Sequence, residues 1–408
     1  MPKPLNILFL TIFRFQDVEE RGIYTDLMRK FRDEGHQVYV VSPLERRYNQ
    51  KTSLRENKGI HILGVKTLNL QKTNFIEKGI GTLLLEYQFQ NAIKTYLSHI
   101  TFDLVLYSTP PITFTKVIKT LKNKCNPTTY LLLKDIFPQN AVDLELMSKN
   151  SLLYKFFRKK EMDLYKISDT IGCMSPANKQ YILEHNSFID ESKVEVNPNS
   201  IEIPEEKNEI DIEKIKNQYG IPLNTRTFIY GGNFGKPQNV DYIIKILKTN
   251  KNRTDCFFVL AGSGTEFNKL EKWIFESKPN NIILLNQLQI TEYNNLVQAC
   301  DVGLIFLDHR FTIPNYPSRL LTYLLFKKPI IAATDPNSDI GEIAVENNYG
   351  FYCESSSIND FNKKLGYCIQ NKEGLQKMGE NGYQFLKDNY SVEKSYEMII
   401  RKLSNNYI

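Results

Sequence analysis

Long hydrophobic runs are missing from this chain of 408 residues. No stretch approaches the ~18 uninterrupted apolar residues of a membrane-crossing helix. The apolar opening over residues 6–12 has no small-residue cleavage site behind it, so it reads as a first strand and not a signal peptide. Paired cysteines are missing too. Cys125, Cys173, Cys256, Cys300, Cys353 and Cys368 lie far apart with no Cys-x-x-Cys, which fits buried thiols in a reducing cytosol better than a disulfide framework or a zinc site. Two nucleotide motifs fail on detail. Gly262-Ser-Gly264 meets Phe267 where the dinucleotide fingerprint needs glycine, and Gly235-Lys236 has neither the spacing nor the following hydroxyl of a Walker loop. With 41% hydrophobic and 24% charged residues, the chain is also neither disordered, collagenous nor a coiled coil.

What is present is alternation. An apolar run at 6–12 is followed by a helical pattern over 24–34 that stops at Gly35, then by a β-branched run at 37–42. Strand, helix, strand within some forty residues implies a parallel sheet. The pattern recurs with strands at 103–107 and 128–133, a helix over 114–122 between them, a strand at 170–174, and a Ser175-Pro176 helix start. Residues 197–211 are polar, acidic and broken by Pro198 and Pro204, the best linker candidate. Beyond it, strands are expected at 227–230, 256–261, 282–285, 302–306 and 329–333, with helices from about 240 and over 318–326. The expected architecture is α/β: two doubly wound Rossmann-like domains, 1–200 and 201–379, facing a cleft. Ligands of such sheets bind beyond the carboxyl ends of the strands.

Three loops in the second half suit an anion. Tyr230-Gly-Gly-Asn-Phe-Gly-Lys-Pro-Gln238 combines glycines that admit a ligand to the backbone with the charge of Lys236. Ala261-Gly-Ser-Gly-Thr265 is the second. In the third, Pro314 to Thr322, Ser318 is expected to cap a helix whose free amides face an anion, with Arg319 as a bidentate phosphate clamp. In the first half, Asp135 directly follows a strand and is placed to orient a hydroxyl or accept its proton. Gln139 and Asn140 beside it suit sugar hydroxyls. His309 with Arg310, and Glu342, are weaker candidates.

The run Pro317-Ser-Arg-Leu-Leu-Thr-Tyr-Leu-Leu-Phe-Lys-Lys-Pro-Ile-Ile-Ala332 resembles the signature segment of the family 4 glycosyltransferases of the GT-B fold. Gly231 to Asp241 and Lys134-Asp-Ile-Phe-Pro-Gln-Asn-Ala-Val-Asp143 resemble the branch containing L-fucosamine transferases of O-antigen and capsule assembly. The resemblance implies a UDP-sugar donor held by the C-terminal domain through Gly232, Asn233, Gly235, Gln238, Gly262, Ser263, Gly264, Ser318 and Thr322. It implies Asp135, Arg319 and Lys236 as catalytic residues, and an undecaprenyl-diphosphate-linked acceptor on the N-terminal domain. It also implies chemistry without a metal, in keeping with the lack of any Asp-x-Asp, no cofactor beyond the donor, and a final segment from about 380 to 408 that packs back on the first domain. The chain departs from the family where Pro314 and Thr322 replace two common glutamates, where Asn233 and Gln238 replace common cations, and where only Gly22 remains of a glycine pair after the first strand.

Charge is uneven. Residues 1–200 carry 28 Lys+Arg against 21 Asp+Glu, or +7, while the remainder has 52 − 28 = 24 against 46 − 21 = 25, or −1. A basic half suggests an anionic partner. Residues 152–160, Leu-Leu-Tyr-Lys-Phe-Phe-Arg-Lys-Lys, set aromatics beside cations as an interfacial helix does, and 75–96 is a second apolar, aromatic segment. The reading is a cytoplasmic enzyme, peripheral at the inner face of the membrane, with no nucleic-acid partner. A GT-B nucleotide-sugar 2-epimerase and a non-catalytic nucleotide-sugar-binding protein are the alternatives.

Overall fold

The computed structural model describes residues 4–70, 75–204 and 210–404. Two compact units divide the chain. The first ends at Glu202 and takes in the residues from Ser391 onward, and the second spans Ile203–Tyr390.

Among the described residues the first unit has eight strands: β1 (Asn6–Leu10), β2 (Gln37–Glu45), β3 (Ser53–Asn57), β4 (Ile60–Thr67), β5 (Leu104–Ser108), β6 (Thr128–Leu133), β7 (Thr170–Cys173) and β8 (Val194–Val196). They lie in the order β3-β4-β2-β1-β5-β6-β7-β8, parallel except for β3, which runs antiparallel to β4. β5 and β6 are buried along their whole length. That is why they read as largely apolar runs without an exposed alternation, since helices cover both faces of a parallel sheet. The β3–β4 hairpin was not foreseen from the sequence. β3 is an exposed edge, Ser-Leu-Arg-Glu-Asn, without the period-two apolar pattern that marks a strand.

The second unit has β9 (Arg226–Asn233), β10 (Cys256–Ser263), β11 (Ile282–Asn286), β12 (Val302–Phe306), β13 (Ile330–Thr334) and β14 (Gly350–Glu354). The order is β11-β10-β9-β12-β13-β14, all parallel. This is the doubly wound 3-2-1-4-5-6 arrangement, and its topological switch point lies between β9 and β12.

Local chemistry sets several helix ends. Helix Ile23–Asp33 gives way to Gly35, whose φ of +86° suits a residue without Cβ. Ser151 and Ser175 cap helices Leu152–Ile167 and Pro176–His185 by accepting from the amides of Tyr154 and Asn178. The helix expected over 114–122 is Thr115–Cys125.

The stretch read as a linker is anchored at its start. The Asn197 carboxamide nitrogen donates to Tyr130 Oη at 2.8 Å, its oxygen accepts from Ser395 Oγ at 2.8 Å, and Asn199 and Ser200 are buried. Residues 205–209 of that stretch lie outside the described residues. The chain crosses between units at Tyr390/Ser391. Helix Lys372–Asn389 therefore stays with the second unit, and Val392–Ser404 joins the core of the first through Tyr396, Ile399 and Leu403. There the Leu5 amide donates to His36 Nδ1 at 3.2 Å, and His36 Nε2 lies 3.0 Å from Tyr396 Oη. These partners assign a neutral ring protonated at Nε2, and burial pushes the His36 pKa down.

Candidate active site

β9 and β10 end side by side in glycine, and the register pairs Gly231 with Ala261, Gly232 with Gly262, and Asn233 with Ser263. The two loops are tied by the Phe234 amide donating to Ser263 O at 2.8 Å and the Glu266 amide donating to Phe234 O at 2.9 Å. Gly262 has a φ of +156°, and a Cβ there would stand 1.8 Å from the Gly232 carbonyl oxygen. A Cβ on Gly264 would stand 2.3 Å from Phe234 O. Only glycine lets the two backbones lie this close, and the result is an open bed of main chain at the sheet's carboxyl edge.

Asn233 and Gln238 shape this bed from within. Gln238 is buried, and its Oε1 accepts from Asn233 Nδ2 at 2.7 Å and from the Gly235 amide at 3.2 Å. Lys236 is exposed on the single turn Lys236–Gln238. Ser263 is exposed as well, with Oγ 3.4 Å from Gln287 Oε1.

Arg319 enters from the seven-residue helix Arg319–Leu325. Its guanidinium lies 4.3 Å from the centroid of the Tyr230 ring, a cation–π contact. The guanidinium also packs beneath Gly232, where an added Cβ would meet Nη2 at 3.1 Å. Nη1 is buried and meets no acceptor among the described residues. A buried guanidinium N–H without an acceptor is costly unless something outside the protein accepts from it. Tyr230 is itself fixed, its hydroxyl donating to Asn233 O at 2.6 Å. Tyr323, one turn along the same helix, accepts from the Gly231 amide at 3.3 Å and lies within hydrogen-bonding distance of Ile229 O and Leu304 O. It joins β9 to β12 at the switch point. These tyrosines were not singled out from the sequence, because a tyrosine in a strand or helix carries no motif.

Several expectations change. Ser318 precedes the helix but is itself in the helical region, exposed, and makes no side-chain cap. Its hydroxyl therefore does not hold the helix start. Thr322 is half-buried in the middle of that helix, three residues from Arg319. Arg310 is engaged by the buried Asp308, with Nε and Nη2 at 3.0 and 2.9 Å from its carboxylate oxygens. Burial would raise the Asp308 pKa, but Arg310 outweighs it and holds the group low. His309 is exposed beside Asn239, and Glu342 is exposed in the first turn of helix Ile340–Glu346.

In the first unit, β6 runs into Lys134 and Asp135. The Asp135 carboxylate accepts from Asn140 Nδ2 at 2.9 and 3.0 Å, and the Asp135 amide donates to Thr109 Oγ1 at 3.2 Å. Asp135 is thus oriented by a carboxamide from the first turn of helix Gln139–Asp143. Gln139 is turned to its own helix, with Nε2 2.8 Å from Asp143 Oδ1. Lys134, at the end of β6, has Nζ 3.4 Å from Asn197 O. Burial pushes its pKa down to about 7.

Residues 211–385, within the second unit, match the family described as glycosyl transferases group 1. The probable glycosyltransferase WbjE of Pseudomonas aeruginosa is 23% identical over 287 residues, covering 69% of each chain. Among solved structures, a sucrose-phosphate synthase from Thermosynechococcus elongatus superposes with a TM-score of 0.77 at 14% identity, covering 99% of both chains. Alr3699/HepE of Anabaena, in complex with UDP and glucose, superposes at 0.69 and 16% identity, covering 98% of this chain and 100% of that one. The fold is GT-B, with two Rossmann-like domains built on parallel sheets.

Proposed function

We propose, from a GT-B chain whose second unit matches the group 1 glycosyltransferases, that this protein moves a sugar from a UDP-sugar to a lipid-linked acceptor in the assembly of a bacterial surface polysaccharide. The observation that carries the reading is the glycine bed at the ends of β9 and β10 with Arg319 beneath it and Nη1 unpartnered among the described residues. That arrangement suits a diphosphate, whose oxygens would take the free N–H and the loop amides. Breaking the bond between the anomeric carbon and the diphosphate leaves negative charge on the departing UDP. Arg319, the loop amides and Lys236 stabilise that charge as it grows. Asp135, held by Asn140, orients the acceptor hydroxyl. The donor sugar we favour is an N-acetylated deoxyhexosamine, on the likeness of residues 134–143 and 231–241 to L-fucosamine transferases. The UDP bound by HepE supports the choice of nucleotide.

The test is UDP release from a panel of UDP-sugars, with and without an undecaprenyl-diphosphate-linked sugar, with products read by mass spectrometry. A transferase releases UDP fast only with the acceptor present. Acceptor-independent conversion of the donor would instead mean an epimerase, and tight UDP binding without turnover a non-catalytic protein. Because charge stabilisation is assigned to amides and cations, excess EDTA is expected to leave turnover unchanged. Abolition by EDTA, reversed by manganese or magnesium, overturns that assignment.

A further inference from the structure

The first unit contains a cavity of about 420 Å³ bounded by the segment after β1, the end of β2 and the β3–β4 hairpin. Its size is that of a small-molecule site. Arg14, Lys51 and Arg55 line it, Phe15 and Leu44 form part of its apolar wall, and among the described residues no carboxylate lines it. Two of the cations are pre-positioned. The Arg14 guanidinium sits 3.7 Å from the centroid of the Tyr48 ring. Arg55 Nη2 donates to the carbonyls of Phe15 at 3.0 Å and Gln16 at 2.7 Å, which ties the hairpin to the segment after β1. Lys51 is exposed at the rim. Ser42 also lines the cavity, is 1% exposed, and its hydroxyl is buried with no hydrogen-bond partner among the described residues.

Three cations at the edge of a mainly apolar cavity, with no carboxylate among its described lining residues, give it a positive potential. A buried hydroxyl without a partner marks a place where a ligand oxygen completes the hydrogen bonding. We propose that this cavity binds a sugar bearing an oxyanion, a carboxylate or a phosphate, with the anion on Arg14 and Lys51 and a ring hydroxyl on Ser42. The proposal rests on the transferase reading in one respect: the bound sugar is then part of the acceptor, and the enzyme selects acidic acceptors.

Binding to the full chain is measured by calorimetry with UDP at saturation, so that the nucleotide site is occupied. The probes are glucuronate, glucose 6-phosphate, glucose and inorganic phosphate. At least one charged sugar is expected to bind ten-fold or more tighter than glucose, and tighter than inorganic phosphate. Whether glucuronate or glucose 6-phosphate wins identifies the anion as carboxylate or phosphate. R14Q/K51Q is expected to weaken the preferred probe at least ten-fold with UDP affinity unchanged, and S42A to weaken it several-fold. Lys51 is exposed, so K51Q alone keeps the test open if the double variant misfolds. Equal binding of glucose, equal binding of inorganic phosphate, or full affinity in K51Q and S42A overturns the proposal. Failure of the wild type to bind UDP counts instead against the transferase reading and leaves the cavity measurement to be judged with the other probes.

Discussion

Arg319 shows how one residue changes meaning between sequence and structure. In sequence it is a cation at a helix start, free to reach outward. In the fold it lies on Tyr230 beneath Gly232, with Nη1 unpartnered among the described residues. Arg319→Ala is expected to cost about 2–4 kcal/mol of transition-state stabilisation, or roughly 10²–10³ in turnover, since the contact strengthens as diphosphate charge grows. Arg319→Lys should recover little, because a compact ammonium lacks the planar fork. Melting temperature and turnover are measured together, and a folded Ala variant with wild-type turnover would sink the assignment. Lys134 gives a second prediction at this scale. Its pKa is near 10.4 in an unfolded chain and about 7 in the fold. Between those values the unfolded chain holds a proton that the folded one lacks, so this residue makes stability rise with pH above 7 and fall toward it. Urea unfolding from about pH 7 to about pH 7.8, below the thiol titration near 8.5 in the unfolded chain, should show that rise in wild type and a flatter profile in Lys134→Met. Parallel profiles would contradict it.

Among the elements, helix Val392–Ser404 is the least local. It follows the second unit in sequence yet completes the core of the first, with Ile399 fully buried and the Tyr396 ring 5.1 Å from that of Phe31. Ile399→Ala is expected to destabilise the first unit by about 2–5 kcal/mol. Hydrogen exchange should localise the loss to β1, β2 and helix Ile23–Asp33, and protection there at wild-type levels would refute it. The His36–Tyr396 contact adds a pH dependence. His36 is held neutral, so below its unfolded pKa near 6.5 the unfolded chain gains a proton first and docking of this helix weakens. The same scale shows which elements the sequence makes legible. β5, β6 and β12 are largely apolar runs, and Ser175-Pro176 is a helix start in the sequence alone. β3 is not legible because its residues are exposed, and the end of the second unit at Tyr390 is not legible because the helices on either side of it are both amphipathic.

For the whole molecule, the surface of the first unit bears on where the protein works. Leu152, Leu153 and Phe156 are 84, 54 and 42% exposed on helix Leu152–Ile167, beside exposed Lys155 and Lys159. Leu83, Leu84 and Tyr87 are exposed on helix Phe75–Tyr96, and Lys160 Nζ lies 3.8 Å from Glu86 Oε2 of that helix. Arg158, grouped with these cations in the sequence, is bound instead to Glu161, His185 O and Asn186. Among the described residues no helix is long and apolar enough to cross a membrane. We expect the protein to sediment with anionic liposomes and to be released as salt shortens the Debye length from ~10 Å at 0.1 M to ~3 Å at 1 M. Lys155→Gln with Lys159→Gln removes about 1 kcal/mol per cation, or roughly 30-fold in partitioning. Turnover on a water-soluble acceptor should persist. Undiminished sedimentation of the double variant would show that this face packs against something other than anionic lipid.

The α/β class, most of the parallel strands and the glycine turns that end β9 and β10 are legible in the chain before it folds. Those features depend on local periodicity, turn residues and spacing, which need no knowledge of distant neighbours. The tertiary structure decided the rest. Gly262 is required because the Gly232 carbonyl arrives from another strand, Arg319 is held because Tyr230 and Gly232 lie beneath and above it, and Lys134 loses its charge near pH 7 because the fold buries it. The oxyanion cavity joins Arg14, Ser42, Lys51 and Arg55 from separate strands and loops. Contacts of this kind arise only when segments far apart in the chain pack together, so no local pattern encodes them.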